Sequence, residues 1–372
     1  MMLDVTMFRA QTFLPLPYEA ALAPRLRRVR EKLRSEPWVR LPARQAEETD
    51  RLRAAAARLR AGSRILAVLG GGPGPRGLAE CLRVPGAGPE LLFLDSGDAP
   101  ERVLPALEEA DFSAAVMPGA EEDPALCRLS LALRSLLERR YGPEEARRRF
   151  LSFEEGPEPL PWSGWELLST AGLLPAAAAG ADVDALLAGA AEMMELCGTD
   201  SFENPAWRYA SIRHQLYRSG RAAEVLAGYG DPSLRGLLEW RQRLCAGSED
   251  REGKGLFPAW ALYPQDLPTL GQAIRGGRLP VFETVLVLGE ADRLRSQESL
   301  PGRSPEGVPL VLLSAPGKTA GTLGALVSFF QYACGLSCGL LDVDPFRTPE
   351  AAERERFFAP DPAREPRLAG KL

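Results

Sequence analysis

The sequence predicts an α/β protein of two lobes, each a parallel sheet flanked by helices in three α/β/α layers. Three observations carry that expectation. Short apolar runs rich in Val, Ile and Leu end at glycines or small polar residues and are followed by helical patterns, the alternation that builds parallel sheets. That rhythm occurs twice, on either side of an almost wholly helical stretch. The chain has 372 residues, more than one hydrophobic core usually organises. The expected division is an N-terminal helical segment (1–62), a first lobe (63–180), a helical connection (181–256), a second lobe (257–345) and a C-terminal helix or tail (346–372).

Between residues 19 and 60, Leu, Ala and Val recur among arginines, as in RLRRVREKLR and RLRAAAARLR. This is the pattern of amphipathic helices with solvated basic faces. RILAVLGGG (64–72) predicts a strand running into a glycine turn, with a helix starting near Pro75. ELLFLDSG and FSAAVM predict two further buried strands, and DPALCRLSLALRSLLERRYG is the clearest helix after them. From 164 to 244 the pattern is helical except for AAEVLAGY, an expected edge strand; VFETVLVLG and VPLVLLS then restore the α/β rhythm. Residues 290–307, rich in charge, Ser, Pro and Gly, read as a loop.

Residues 322–341, TLGALVSFFQYACGLSCGLL, carry no charge over a length that could span a bilayer. Gln331, the frequent glycines and a flank with Lys318 as its one base favour a buried helix, on which Cys334 and Cys338 share a face. Hydrophobic residues at 45% and charged residues at 26% place the chain among soluble globular proteins. A formal net charge of −5 argues against a dedicated nucleic-acid binder. The start, MMLDVTMFRAQTF, has an acid at Asp4 and no basic flank before an apolar run, so a cytoplasmic location without a membrane partner is expected. Cys81, Cys127, Cys197, Cys245, Cys334 and Cys338 form no C-x-x-C pair. Reduced thiols are therefore expected, with neither a disulfide frame nor a metal site.

Residues 203–217, ENPAWRYASIRHQLY, resemble the E-N-P-A-x-x-Y-A-x-x-R-x-x-L-Y helix of the bacterial glucose-6-phosphate isomerase family. Collinear segments extend the resemblance from about residue 64 to 358: LERRYGPEEARRRF, TAGLLPAAAAGADVDALLAGAA, LGQAIRGG, VFETVL and DVDPF. The resemblance implies two sugar-isomerase (SIS-like) lobes, a homodimer, a sugar or sugar-phosphate ligand, no cofactor, and aldose–ketose isomerisation of glucose 6-phosphate to fructose 6-phosphate. The chain is shorter than the family leads one to expect, chiefly between residues 288 and 308.

Such isomerisation needs an acid/base to open the sugar ring, a base to carry the proton between C1 and C2, and positive charge to steady the enediolate. The resemblance locates each, and each has changed. The family's G-E-S-x-G-K base falls on Gly247 in GSEDREGKGLFP, its ring-opening His on Pro268 in DLPTLGQ, its Arg on Gly164, and its C-terminal Lys on Glu355. The single histidine, His214, lies within the ENPAWRYASIRHQLY helix, where a surface or satisfied core role is expected. Glu249, two residues beyond the base position, is the candidate for a displaced catalytic base; the alternative is a solvated acidic loop.

The phosphate cradle is altered in the same way. The family's G-I-G-G-S-x-x-G turn is GGGPGPRG here: Gly70, Gly72 and Gly77 match, Gly74 replaces the Ser, and Pro73 and Pro75 remove backbone donors. S-K-S-G-T-T-x-E-P has become MPGAEEDP, in which Gly119, Asp123 and Pro124 persist while Glu121 and Glu122 would repel a phosphate dianion. Gly70, Gly72, Gly74, Gly119 and Ser163 are thus expected as vestiges of a substrate site. Three readings follow: a degenerate isomerase, an isomerase rebuilt around Glu249 with Arg76 or Arg251, and a non-catalytic ligand-binding or scaffold protein. Whether the cleft holds converging polar groups or is filled by side chains such as Trp162, Trp165 and Trp260 would separate the last two.

Overall fold

A computed structural model describes residues 3–8, 14, 18–153, 164–201, 203–249, 253–276, 279–299 and 308–346. The chain begins with β1 (Asp4–Phe8), α1 (Tyr18–Leu33), α2 (Pro37–Glu47) and α3 (Thr49–Gly62). The first sheet and its helices follow as β2 (Ile65–Leu69), α4 (Pro73–Leu82), β3 (Glu90–Leu94), α5 (Pro100–Glu108), β4 (Phe112–Val116), α6 (Pro124–Tyr141), α7 (Pro143–Arg149) and β5 (Phe150–Ser152). Next come α8 (Thr170–Ala178), α9 (Val183–Cys197), α10 (Pro205–Arg218), β6 (Ala223–Tyr229), α11 (Arg235–Ser248) and β7 (Phe257–Tyr263). The last elements are α12 (Gln272–Gly276), β8 (Val281–Leu288), α13 (Glu290–Ser299), β9 (Leu310–Ala315) and α14 (Ala320–Leu341).

The first sheet has the order β3-β2-β4-β5 and is parallel throughout. The second has the order β1-β9-β8-β6-β7, parallel except for β1, which runs antiparallel to β9 with Asp4 opposite Ser314. Central strands such as β4 and β8 are buried along their whole length, as strands covered by helices on both faces must be. One apolar cluster fills the layer between the sheets, and smaller clusters lie on the far face of each sheet. The fold class is therefore the one expected from the sequence.

Three local expectations are corrected. AAEVLAGY is not an edge strand, because β6 pairs with both β7 and β8, Ala223 lying opposite Phe257 and Val281. Its acid, Glu224, is fully buried, its charge met by Arg213 and Arg241 from neighbouring helices. The segment 1–62 is not all helical, since β1 forms by pairing with β9, a partner some 300 residues away in sequence that local pattern cannot reveal. Within 290–307, residues 290–299 form α13, where Glu290 with Arg293 and Asp292 with Arg295 are paired at helical spacing.

The uncharged 322–341 segment lies in α14, a helix long and apolar enough to cross a bilayer, yet buried over almost its whole length against α1, α9, α10 and α11. Its contact with α9 is backbone-close: a Cβ on Gly324 would lie 1.9 Å from the Leu186 carbonyl oxygen. A second close approach joins the lobes, where α4 meets α11 and a Cβ on Gly77 would lie 2.4 Å from Gly236. Only glycine permits either contact.

Candidate functional site

The C-terminal end of β2 runs into Gly70, Gly71 and Gly72, with φ of 79°, 80° and 66°, and then into α4. These left-handed conformations suit glycine, and they place a helix N-terminus at the end of a parallel strand, where anions commonly bind. Pro73 and Pro75 occupy the first turn of α4 and contribute no N–H. Facing the turn are α11, which packs on β7, and the segment around Gly164. A Cβ on Gly72 would lie 3.2 Å from Nη1 of Arg243. A Cβ on Gly74 would lie 2.8 Å from Trp240 Cδ1 and 2.9 Å from Leu167 Cδ1. Position 74 thus abuts an indole and a leucine.

Gly164 sits on the other side of the same indole. Its φ is 109°, and a Cβ there would lie 2.9 Å from Trp240 Nε1. That nitrogen donates to the Gly164 carbonyl oxygen at 3.0 Å, and Gln331 Nε2 donates to the Gly164 and Trp165 carbonyls at 3.2 and 3.0 Å. Trp165 is fully buried, donates from Nε1 to Ser248 Oγ at 3.1 Å and packs on Trp38 at 4.7 Å between ring centroids. Half-buried Glu166 accepts from the Gly164 N–H at 3.1 Å, and desolvation pushes its carboxyl up to about 7.

Glu249 closes the C-terminal end of α11 and is 1% exposed. Its two carboxylate oxygens accept from Arg213 Nη1 and Nη2 at 2.6 and 2.8 Å. Arg213 Nε also donates to Glu224 Oε2 at 2.8 Å, and Nη1 to Ser337 Oγ at 2.7 Å. Glu224 further accepts from Arg241, from Tyr209 at 2.5 Å and from Thr284 at 2.6 Å. Burial alone would raise the Glu224 carboxyl, but Arg213 and Arg241, with the Thr284 and Tyr209 hydroxyls, hold it well below the usual carboxylate range. Tyr209 and Arg213 stand one helical turn apart on α10, whose N-cap is Asn204: its side chain accepts from Trp207 N at 3.0 Å and donates to Cys197 O at 2.6 Å. The ENPAWRYASIRHQLY residues thus cap a helix and seat a neutral two-Arg, two-Glu network in the core.

The sequence-predicted positions therefore separate. Gly72, Gly74 and Gly164 face Arg243 or Trp240, Gly70 faces Ala120 and Leu126 instead, and Glu249 is enclosed in the Arg213 network. Gly119 (φ 73°) lines a different groove, of about 580 Å³, with Glu121, Glu122 and Arg134. Pro268 is exposed and Gly247 is half-buried. Arg76 lies over the Phe93 ring, 5.2 Å from its centroid. His214 is half-buried, and desolvation, then Arg25 and Arg218, push it down to about 4. Ser163, Trp162, Arg251 and Glu355 lie outside the described residues. Trp260 stays half-buried on β7 under Arg235. The residues that line the glycine turn, Trp240 and Leu167, were not singled out from the sequence, where they read as ordinary apolar helix and loop positions.

No protein-family model matches the chain. Curated relatives do: the glucose-6-phosphate isomerase of Symbiobacterium thermophilum is 33% identical over 87% of this chain and 86% of its own length. That of Bacillus cereus strain AH187 is 33% identical over 86% and 85%. The chain belongs to the glucose-6-phosphate isomerase family. Solved structures agree in fold. A hypothetical protein from Thermus thermophilus superposes with a TM-score of 0.78 at 20% identity, covering 96% of this chain and 98% of the other. The glucose-6-phosphate isomerase of Chlamydia trachomatis gives 0.69 at 14% identity, covering 84% and 72%.

Proposed function

We propose that this member of the glucose-6-phosphate isomerase family keeps the fold of its relatives without their isomerase activity. One observation carries the reading: Trp240, with Leu167, takes up the space into which side chains at positions 74 and 164 would project. The residues there are glycines with no room for a Cβ. Neither the hydroxyl for phosphate nor the cation for an enediolate has a place to stand, and interactions of both kinds supply much of the rate enhancement in such chemistry. Reading Glu249 as a rebuilt base loses support because both of its oxygens are engaged by Arg213 in the core. The same proposal includes a cytoplasmic homodimer, as family membership suggests, acting through binding rather than catalysis.

The test is a coupled assay of the purified chain with glucose 6-phosphate and fructose 6-phosphate, alongside calorimetric titration of both. No turnover and no saturable binding are expected. Turnover that vanishes in Glu249→Gln would establish the rebuilt site, and tight fructose 6-phosphate binding without turnover would establish a sugar-phosphate binding protein.

A further inference from the structure

Cysteines scattered through the sequence meet in the core. Cys245 projects from α11 and Cys334 from α14, and their sulfurs and a Glu249 carboxylate oxygen all lie within 4.8 Å of one another. Cys338, one turn beyond Cys334, touches the Cys334 thiol. Cys245 and Glu249 are likewise one turn apart, and the Glu249 N–H bonds the Cys245 carbonyl at 2.8 Å, so helical geometry continues to the carboxylate. Two packed helices therefore face each other with two i,i+4 pairs of metal-ligating side chains, the arrangement by which helix bundles build metal centres.

We propose that Cys245, Cys334 and Glu249, with Cys338 at hand as a fourth ligand, form a binding site for a single zinc-class d¹⁰ cation. Zinc takes thiolates at about 2.3 Å and carboxylate oxygens at about 2.0–2.2 Å, so small rotamer adjustments close the observed spacing onto one ion. The second shell is already built. Arg213 holds both Glu249 oxygens from one side, and a carboxylate has about four lone-pair sites, which leaves capacity toward the cysteines.

Charge favours the same occupant. Arg213 and Arg241 balance Glu224 and Glu249. A divalent ion that displaces the protons of Cys245 and Cys334 breaks two S–H bonds, forms two metal–sulfur bonds and releases two protons to solvent, so the core gains no net charge. Beside Glu249, Arg213, His214, Tyr217 and Leu256 line a narrow crevice.

The experiment uses the full chain, reduced and metal-free, loaded with Zn²⁺ or Co²⁺ and dialysed. Native mass spectrometry should find one zinc per chain, the cobalt form should show a thiolate-to-cobalt charge-transfer band, and zinc should raise Tm by linkage. Differential alkylation in urea concentrations that open the metal-free chain should show Cys245 and Cys334 protected by zinc. Cys334→Ala should lose the band and the bound zinc, while Cys81→Ala, remote from the cluster and bonded to the Ser233 carbonyl, keeps both. If Cys334→Ala does not fold, the alkylation pattern of the wild type still decides. A folded wild type that retains no zinc, zinc protection at other cysteines, or a Cys245–Cys334 disulfide formed in place of metal uptake would overturn the proposal.

Discussion

The indole Nε1 of Trp240 donates to the Gly164 carbonyl oxygen at 3.0 Å, tying α11 to the segment that leads into α8. The contact leaves no room for a side chain at 164 and makes glycine a structural requirement there. Gly164→Arg should therefore lower stability and not confer activity. A non-glycine residue at φ 109°, together with displacement of the indole and loss of its hydrogen bond, should cost roughly 2–4 kcal/mol in urea denaturation. A variant as stable as wild type with measurable isomerase turnover would sink this account of the site.

Arg213 anchors the buried network by contacting Glu224, Glu249 and Ser337. Arg213→Met leaves two buried carboxylates short of a partner and should destabilise by about 3–5 kcal/mol. The solvent-exposed pair of Arg134 with Glu138 on α6 should behave differently, with Arg134→Ala costing no more than ~1 kcal/mol. Equal midpoints for the two variants would show that the network contributes little.

Glu166 and His214 should tilt stability with pH in opposite directions. The folded carboxyl of Glu166 sits near 7, above its ordinary 4.5, so the folded state binds the extra proton and its stabilising effect is lost as pH rises from about 4.5 through 7. His214 is lowered from 6.5 to about 4, so the unfolded state binds the extra proton and stability is lost as pH falls from about 6.5 toward 4. Glu166→Gln should steepen the rise of stability from pH 5 to 6.5, and His214→Gln should flatten or reverse it, each by on the order of 1–2 kcal/mol. Denaturation series across that window provide the check; shifts of the opposite sign would contradict the assignment.

The α9–α14 contact has no room for a methyl group at 324. Gly324→Ala should destabilise by about 1–3 kcal/mol or more through forced separation of the helices, whereas Gly317→Ala, which meets open space, should be near neutral. Thermal midpoints measured side by side decide the matter.

The sequence by itself determined the layered α/β plan, because strands buried on both faces are mostly apolar, and the runs ILAVL, FSAAV and VFETVLVL are so apart from Ser113, Glu283 and Thr284. It also determined that 322–341 would be interior, and through ENPAWRYASIRHQLY it pointed to the family. What only the tertiary structure decided depends on residues far apart in the chain. Glu249 reads as an acid in a polar loop, yet Arg213, 36 residues earlier, draws it inside. AAEVLAGY reads as an edge strand, yet β6 lies between β7 and β8 and two arginines neutralise its Glu224. Trp240 reads as an ordinary helical aromatic until α11 crosses the glycine turn. Local pattern reports whether a segment can form a helix or strand, since that is governed by neighbours a few residues away. Which charge is paired, which cleft is filled and which thiols meet are set by long-range packing, where each group's free energy depends on partners that only the folded chain supplies.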